Sequence, residues 1–400
     1  MIADGLGLDE ATRLALLNNR RLQAGFLALG VARADYIQAG LFENPSLSLA
    51  FLFPETGGRV RWTADLVGSV TEIWQIPSRQ ALAQAGIEQR ILELSRFAGE
   101  LVAATKTAYF EGVAAREARE VGRANLELTR RSLGGVRRQV AEGVASKTDE
   151  LLAESLALGA ELSFQRTERE GVAATRKLAA LLSIEEDLFA VALADPLPEP
   201  EWQTVAREEL VEASLNVRPD VRAAARAVAV AEDRVVLERK RRFPGVSAGL
   251  SAERPEGGSS DDFFIGPAAV LELPLFDQNQ AQVSRAEFEL AQRRKAHEAL
   301  VAEAKQELRA ALDKAEVASR TAAFARNEFV PQAERGATLA EKAYELGDTT
   351  VLTLLQAQKA ALEARRTVID ALLEAALSRI EVERTAGAPL RAWPDADANR

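Results

Sequence analysis

The chain has 400 residues and contains no cysteine, one histidine (His297) and one methionine (Met1). Without cysteine it can form neither a disulfide framework nor a thiolate metal site. A single histidine inside a charged helical stretch leaves no Ser–His–Asp or Cys–His nucleophile. No glycine-rich phosphate loop followed by lysine occurs either. The composition therefore points away from an enzyme, and neither a cofactor nor a metal site is expected. No run approaches 18 apolar residues, so no transmembrane helix is expected. Alternating strands of a membrane barrel would leave no such signal. The opening MIADGLGLDE is acidic and lacks a basic-then-apolar segment, so it does not read as a signal peptide. Either the protein is cytoplasmic, or it is an exported chain whose signal is absent from this sequence. Fifty basic against sixty acidic side chains give a net charge of −10, which would repel phosphate, so no nucleic-acid partner is expected.

Hydrophobic residues make up 47% of the chain but aromatics only 6%, and alanine, leucine, arginine and glutamate dominate. That mix favours long helices. The spacing predicts a helix over 8–42, ended by Asn44-Pro45. Residues 46–53 then alternate, with Leu47, Leu49, Phe51 and Phe53 on one face. After turn material at 54–58, alternation resumes to Ile76. Trp62, Ala64, Leu66, Gly68, Val70 and Trp74 share one face, and Arg61, Thr63, Asp65 and Ser69 the other. A helical pattern covers 78–141, Gly143 breaks it, and a second helix covers 147–182. Residues 183–205, with Pro196, Pro198 and Pro200, read as a linker. The order then recurs: a helix over 206–242, a hairpin over 245–275, a helical pattern over 278–345 with a kink at Pro331, Gly347, and a helix over 349–386. The tail 387–400 is expected to be loose.

This recurrence is an internal repeat. Pro45 and Pro244 lie 199 positions apart, and Gly143 and Gly347 lie 204 apart. The chain thus divides into a first repeat (8–182, hairpin 46–76), a linker, and a second repeat (206–386, hairpin 245–275). At ~1.5 Å per residue the 78–141 helix is about 95 Å long, so two shorter helices placed end to end would match it. Helices of that length pair as coiled coils, here antiparallel across the glycine turns. Four strands cannot close a barrel, and bacterial barrels begin at about eight, so closure would need other copies; three would supply twelve. Ten of the 22 aromatics lie within 36–77 and 243–276. Either they form interfacial girdles, with Phe51, Phe53, Trp62, Trp74 and Phe263 as candidates, or they reflect the general preference of aromatics for strands.

Five segments carry a family resemblance: LDEATRLALLNN (8–19), RADYIQAGLFENPSLSL (33–49), RPDVRAAARAVAVAE (218–232), LPLFDQNQAQVSRAEFELAQ (273–292) and AYELGDTTVLTLLQAQ (343–358). In this order the chain resembles the TolC family of outer-membrane efflux proteins over about 8–386. The PLFDQNQ run is most similar to the branch serving heavy-metal exporters of the resistance–nodulation–division class. The resemblance implies a mainly α fold, a long antiparallel coiled-coil α-barrel plus four strands given to a trimeric twelve-stranded transmembrane β-barrel. It implies a homotrimer in the bacterial outer membrane with a long periplasmic extension, partnered by a periplasmic adaptor and an inner-membrane pump. The implied function is a passive exit duct for small molecules or metal ions. A type I protein-secretion duct and a soluble periplasmic coiled-coil protein are the alternatives, and the second leaves the two-faced hairpins unexplained.

The resemblance places adaptor contact at the two tip turns, through Gly143, Val144, Ala145 and Ser146 and through Gly347, Asp348 and Thr350. Helix C-capping explains the same glycines. Relatives carry carboxylates just after the tip turn. Asp149 matches that position in the first half, whereas the matching Thr353 and Gln356 are uncharged, so the expected gate is acidic in one repeat only. Asp149 on a solvated helix face is the competing reading. Arg61, Asp65, Ser247, Ser251 and Glu253 are expected on a wet lumen face, Glu72 near the periplasmic edge, and a bulge or unpaired position at Pro267.

Overall fold

Helix-forming residues dominate the sequence, and helices dominate the computed structural model, which describes residues 5–53, 55, 59–184, 193–201, 206–255 and 263–390. The turn material at 54–58, the polar segment 254–262 and the tail fall mostly outside the described residues, as does about half of the linker 183–205. In the first repeat the elements are α1 (Leu8–Asn18), α2 (Arg20–Ala39), β1 (Ser46–Leu52), β2 (Arg61–Ser69), α3 (Glu72–Ala141) and α4 (Lys147–Leu182). In the second they are α5 (Arg207–Val217), α6 (Pro219–Lys240), β3 (Val246–Arg254), β4 (Phe264–Leu271), α7 (Gln280–Phe324), a π-helical turn (Ala325–Phe329), α8 (Val330–Glu345) and α9 (Val351–Ala386). The helix–hairpin–long helix–turn–helix order therefore recurs as the sequence implies. Two compact units cut across the repeats: Gly25–Leu94 with Pro219–Ala302 form one, and the rest of the chain forms the other.

Several boundaries differ from the sequence reading. The helix expected over 8–42 breaks at Asn19, whose ψ of 113° is extended. Its side-chain oxygen accepts from the amides of Arg21 and Leu22, 3.1 Å each, opening α2 as an N-cap. Its side-chain amide donates to the Leu181 carbonyl at 3.2 Å, closing α4. In the second repeat the helix expected over 206–242 breaks 199 positions on, at Arg218. The Arg218 guanidinium, 6% exposed, donates to the Thr385 carbonyl at 3.0 Å and pairs with Glu307 at 2.9 Å.

The strand expected to reach Ile76 stops at Ser69, because Val246 captures the next two amides. The Val70 and Thr71 N–H groups both donate to its carbonyl, and its own N–H donates to the Thr71 hydroxyl at 2.6 Å. Glu72 and Trp74 consequently belong to the first turn of α3, not to the hairpin. Glu72 is buried there, accepting from the Glu43 amide at 2.7 Å and facing Arg79 at 3.4 Å. Pro77 lies in the second turn of α3 and costs that helix one ladder bond. Nor does Pro267 make a bulge: the β3–β4 register runs unbroken from Val246↔Leu271 to Glu253↔Phe264, with Pro267 opposite Leu250. β4 is an edge strand, where a missing N–H removes no bond from that pairing. The kink expected at Pro331 takes the form of the π turn just before it. The Val330 amide reaches back to the Ala325 carbonyl, which helps the helix absorb the proline. The start of the tail is held rather than loose. Gly387 caps α9 at φ 79°, and Leu390 is buried with Leu210, Val211, Leu308 and Leu312.

Helix pairing is written in charge. Passing down α3, Glu111, Arg119, Arg130 and Arg137 meet Lys177, Glu168, Glu161 and Glu154 in turn, so α3 and α4 run antiparallel. Between them lie buried alanines, among them Ala114, Ala118, Ala153, Ala157 and Ala160, whose small side chains allow close approach. Exposed pairs of this kind contribute only ~0.2–1 kcal/mol each, so they specify register more than stability. In the second repeat α5 pairs with the later part of α7 through Glu208–Arg309 and Arg207–Asp313, and α6 pairs with its first part through Arg239–Glu287.

All four strands form one antiparallel sheet in the order β1-β2-β3-β4. Residues directly opposite share a face, so the register sorts every side chain. One face carries Leu47, Leu49, Phe51, Trp62, Ala64, Leu66, Ala248, Leu250, Ile265 and Leu271, with Arg254 at its loop end; the other carries Ser46, Ser48, Arg61, Thr63, Asp65, Ser247, Ser251 and Glu253, with Leu52, Val67, Phe264 and Val270 among them. Gly249 has no room for a side chain, since a Cβ there would lie 1.9 Å from the Leu66 carbonyl oxygen, whereas one on Gly266 would meet nothing within 4 Å. Gly249→Ala is therefore expected to separate β2 from β3 and to reduce assembled protein in membranes severalfold, with Gly266→Ala near the parent level. Heat-modifiability on gels measures both. Equal yields would contradict the close approach at Gly249.

Candidate functional site

Both tip turns are built alike. After α3, Gly143 adopts φ 76°; its amide donates to the Val140 carbonyl at 3.1 Å, and the Val144 amide to that of Gln139 at 2.8 Å. After α8, Gly347 adopts φ 81°; its amide donates to Tyr344 at 3.0 Å, and the Asp348 amide to Ala343 at 2.8 Å. These paired bonds satisfy the last carbonyls of each helix and need a left-handed residue, which glycine adopts without a Cβ clash. Ser146 and Thr350 then cap the returning helices, their hydroxyls accepting from the amides of Asp149 at 3.2 Å and Thr353 at 3.3 Å. Every role is displaced by the 204 positions that separate the glycines.

Capping accounts for Gly143, Ser146, Gly347 and Thr350. It does not account for what the turns expose. Val144 is 75% and Leu346 78% exposed, and Leu151, Leu152 and Leu339 are exposed nearby. Ala145 is half-buried and Asp348 exposed. The two helical hairpins lie side by side: a groove of about 360 Å³ is lined by Asn125, Ser155 and Gly159 from one and Leu355, Lys359 and Leu362 from the other. Arg366 of α9 also approaches Glu170 of α4 at 3.9 Å.

Asp149 is exposed and occupied. Its carboxylate accepts from the Ser146 hydroxyl at 2.7 Å and the Ser146 amide at 3.0 Å, completing a reciprocal capping box. The hydroxyl first, then the amide, hold its carboxyl below the usual carboxylate range. Sequence reading assigned the charge but missed the box, though Ser146 three residues ahead of an acid is its recognisable signal. Thr353 takes the same place in the second turn and adds a 3.1 Å contact between its hydroxyl and that of Thr350. Gln356 is exposed beyond it.

At the sheet, Phe51 stands opposite Trp62, and Trp62 stacks against Phe263 with ring centroids 6.4 Å apart. Phe53 lies just past the end of β1, 76% exposed. These four candidates gather at the loop end, while Trp74 lies at the helix end, on α3. On the polar face Ser251 donates to Asp65 at 2.6 Å, and Arg61 pairs with Glu253 at 2.7 Å. At ~3.3 Å per residue and a tilt of about 40°, the nine residues of β2 rise about 23 Å, close to the ~25 Å apolar band of outer-membrane barrels. Among the described residues no helix is long and apolar enough to cross a membrane. Nor, among them, is any group of three or more histidine, aspartate or glutamate side chains placed to hold a metal ion.

Comparison with known proteins agrees with this geometry. Residues 210–388 match the family described as outer membrane efflux protein. The cobalt-zinc-cadmium resistance protein CzcC of Cupriavidus metallidurans is 25% identical, over 96% of this chain and 91% of that protein. The pyoverdine export outer membrane protein OpmQ of Pseudomonas aeruginosa is 24% identical, over 94% and 82%. The crystal structure of the Campylobacter jejuni CmeC outer membrane channel shares the fold with a TM-score of 0.80, covering 98% of this chain and 88% of that one at 15% identity. The second repeat thus carries the outer membrane efflux protein signature, and over nearly its whole length the chain is similar in sequence to outer-membrane efflux proteins and shares the fold of their channels.

Proposed function

We propose that three copies of this chain close their sheets into one twelve-stranded barrel, and that the duct so formed serves a metal-cation exporter. The carrying observation is the sheet: one layer, apolar residues exposed on one side, hydrogen-bonded polar residues on the other, and two open edges at β1 and β4. In lipid each unpaired backbone group costs several kcal/mol, so edges seven and eight residues long would cost roughly tens of kcal/mol if left open. Pairing β4 of one copy with β1 of the next removes that cost. The apolar face then meets lipid, Phe51, Phe53, Trp62 and Phe263 mark its outer interface, and Trp74 marks the inner one. Metal cations as cargo rest on the likeness to CzcC, whose name specifies cobalt, zinc and cadmium.

The tip turns are the proposed docking site for a periplasmic adaptor that links the duct to an inner-membrane pump. Exposed Val144 and Leu346 support this, since capping leaves them without a structural partner role. Asp149 is the proposed charge at the closed end, three per trimer. Because its folded-state pKa lies below the ordinary value, the capping box is complete above the ordinary carboxylate range. It is lost only as pH falls through the lowered value.

Detergent extraction from outer membranes should therefore yield a three-chain particle; a soluble periplasmic monomer would overturn the duct. Proline fixes φ near −65°, against 76° and 81° at the two glycines. Gly143→Pro and Gly347→Pro are thus expected to reduce export about tenfold or more with trimer yield unchanged, and loss of trimers instead would make the turns purely structural. Asp149→Asn should weaken block of single-channel current by divalent cations at pH 7, and in the parent chain the block should persist to about pH 5. Equal block in both proteins would remove Asp149 from the gate.

A further inference from the structure

Within the four strands the polar face holds three ionisable residues: Arg61, Asp65 and Glu253. Two of them cancel, since the Arg61 guanidinium lies 2.7 Å from the Glu253 carboxylate near the loop end. Asp65 stands four residues along β2 from Arg61, about 13 Å away. Its row across the sheet reads Ser48, Asp65, Ser251 and Gly266, with the Ser251 hydroxyl donating to it at 2.6 Å. No cation shares that row. The polar face therefore carries a neutral pair at its mouth and one uncompensated negative charge at mid-height.

We propose that Asp65 makes the barrel interior cation-preferring and so sets the charge class of the solutes it passes. The proposal rests on the duct reading. In a trimer Asp65 becomes a ring of three carboxylates. A twelve-stranded barrel with ~4.8 Å strand spacing and a tilt of about 40° has a radius of about 12 Å. That is comparable with the ~10 Å Debye length at 0.1 M salt. The ring's field thus reaches the axis in dilute solution and is confined to the wall at 1 M, where the Debye length is ~3 Å. Bonding Ser251 alone would require only an acceptor, which asparagine supplies equally well.

The absence of native cysteine makes a direct test available. Ser48→Cys, directly opposite Asp65, and Gly266→Cys, two strands away, are labelled in intact cells with a cationic and an anionic methanethiosulfonate. Comparing the two reagents at one thiol cancels any effect of Asp65 on that thiol's ionisation. At 0.01 M salt the Coulomb energy in water gives a cationic preference of roughly tenfold at ~5 Å and roughly threefold at ~10 Å. Both preferences should fall toward that of the free reagents in Asp65→Asn and in 1 M salt. Unchanged ratios in Asp65→Asn would overturn the role of Asp65 while leaving the duct intact. Failure of both reagents at both positions in correctly assembled trimers would overturn the duct reading and this inference with it. Gly266→Cys keeps the test available if Ser48→Cys assembles poorly, because a Cβ at Gly266 meets no atom of its own chain within 4 Å.

Discussion

Backbone hydrogen bonding is the constraint on which this protein depends. A strand in hydrocarbon has no water to satisfy its amides and carbonyls, so a membrane sheet must close on itself. Four strands in the order β1-β2-β3-β4 cannot do so, and both edges remain open in a single chain. The register converts that requirement into two environments, with most leucine, isoleucine and aromatic residues on one side and serine, threonine, Arg61, Asp65 and Glu253 on the other. In the proposed trimer, symmetric copies resolve open edges, apolar exposure and polar satisfaction at once.

The helices solve a different problem, which is to build long antiparallel pairs from a chain that reverses direction only at short turns. Each repeat does this with one long helical run and three shorter helices, and each marks the break between its first two with a side chain that bonds to the end of another helix. Asn19 does it with a neutral amide. Arg218 does it with a charge, and its neighbourhood is correspondingly ionic. Burial pushes the Glu307 carboxyl up, and Arg384 and Arg218 more than offset this, leaving it below its ordinary range. Tyr109 ties down the start of the chain: its fully buried hydroxyl lies 2.8 Å from the Leu6 carbonyl and 2.9 Å from the Asp195 carboxylate, and burial raises its pKa to about 12.

Much of this was legible in the sequence because the signals were periodic. Alternation located both hairpins and sorted Asp65 from Leu66, and two glycines in register located both tips. What the sequence hid was local competition for hydrogen bonds. Val246 takes the amides of Val70 and Thr71, so the apparent alternation through Glu72 and Trp74 continues into a helix. Asn19 looked like an ordinary helix residue, whereas Arg218 precedes Pro219, a boundary signal at which α6 begins. At Pro267 the rule against proline in strands gave way to an edge position. At Asp149 the charge was legible but its engagement by Ser146 was not, because a capping box and a gating carboxylate share one sequence pattern.

The proposed duct depends on the sheet separating lipid from water. Single nitroxide labels placed in turn along β1 and β2 of the assembled protein in bilayers test it most directly, with collision rates measured against oxygen and against a polar nickel chelate. The account predicts a period of two: oxygen favoured at positions 47, 49, 64 and 66, and the nickel chelate favoured at 46, 48, 63 and 65. Equal access of the nickel chelate to both sets would mean that the apolar face never enters lipid, and would contradict the barrel.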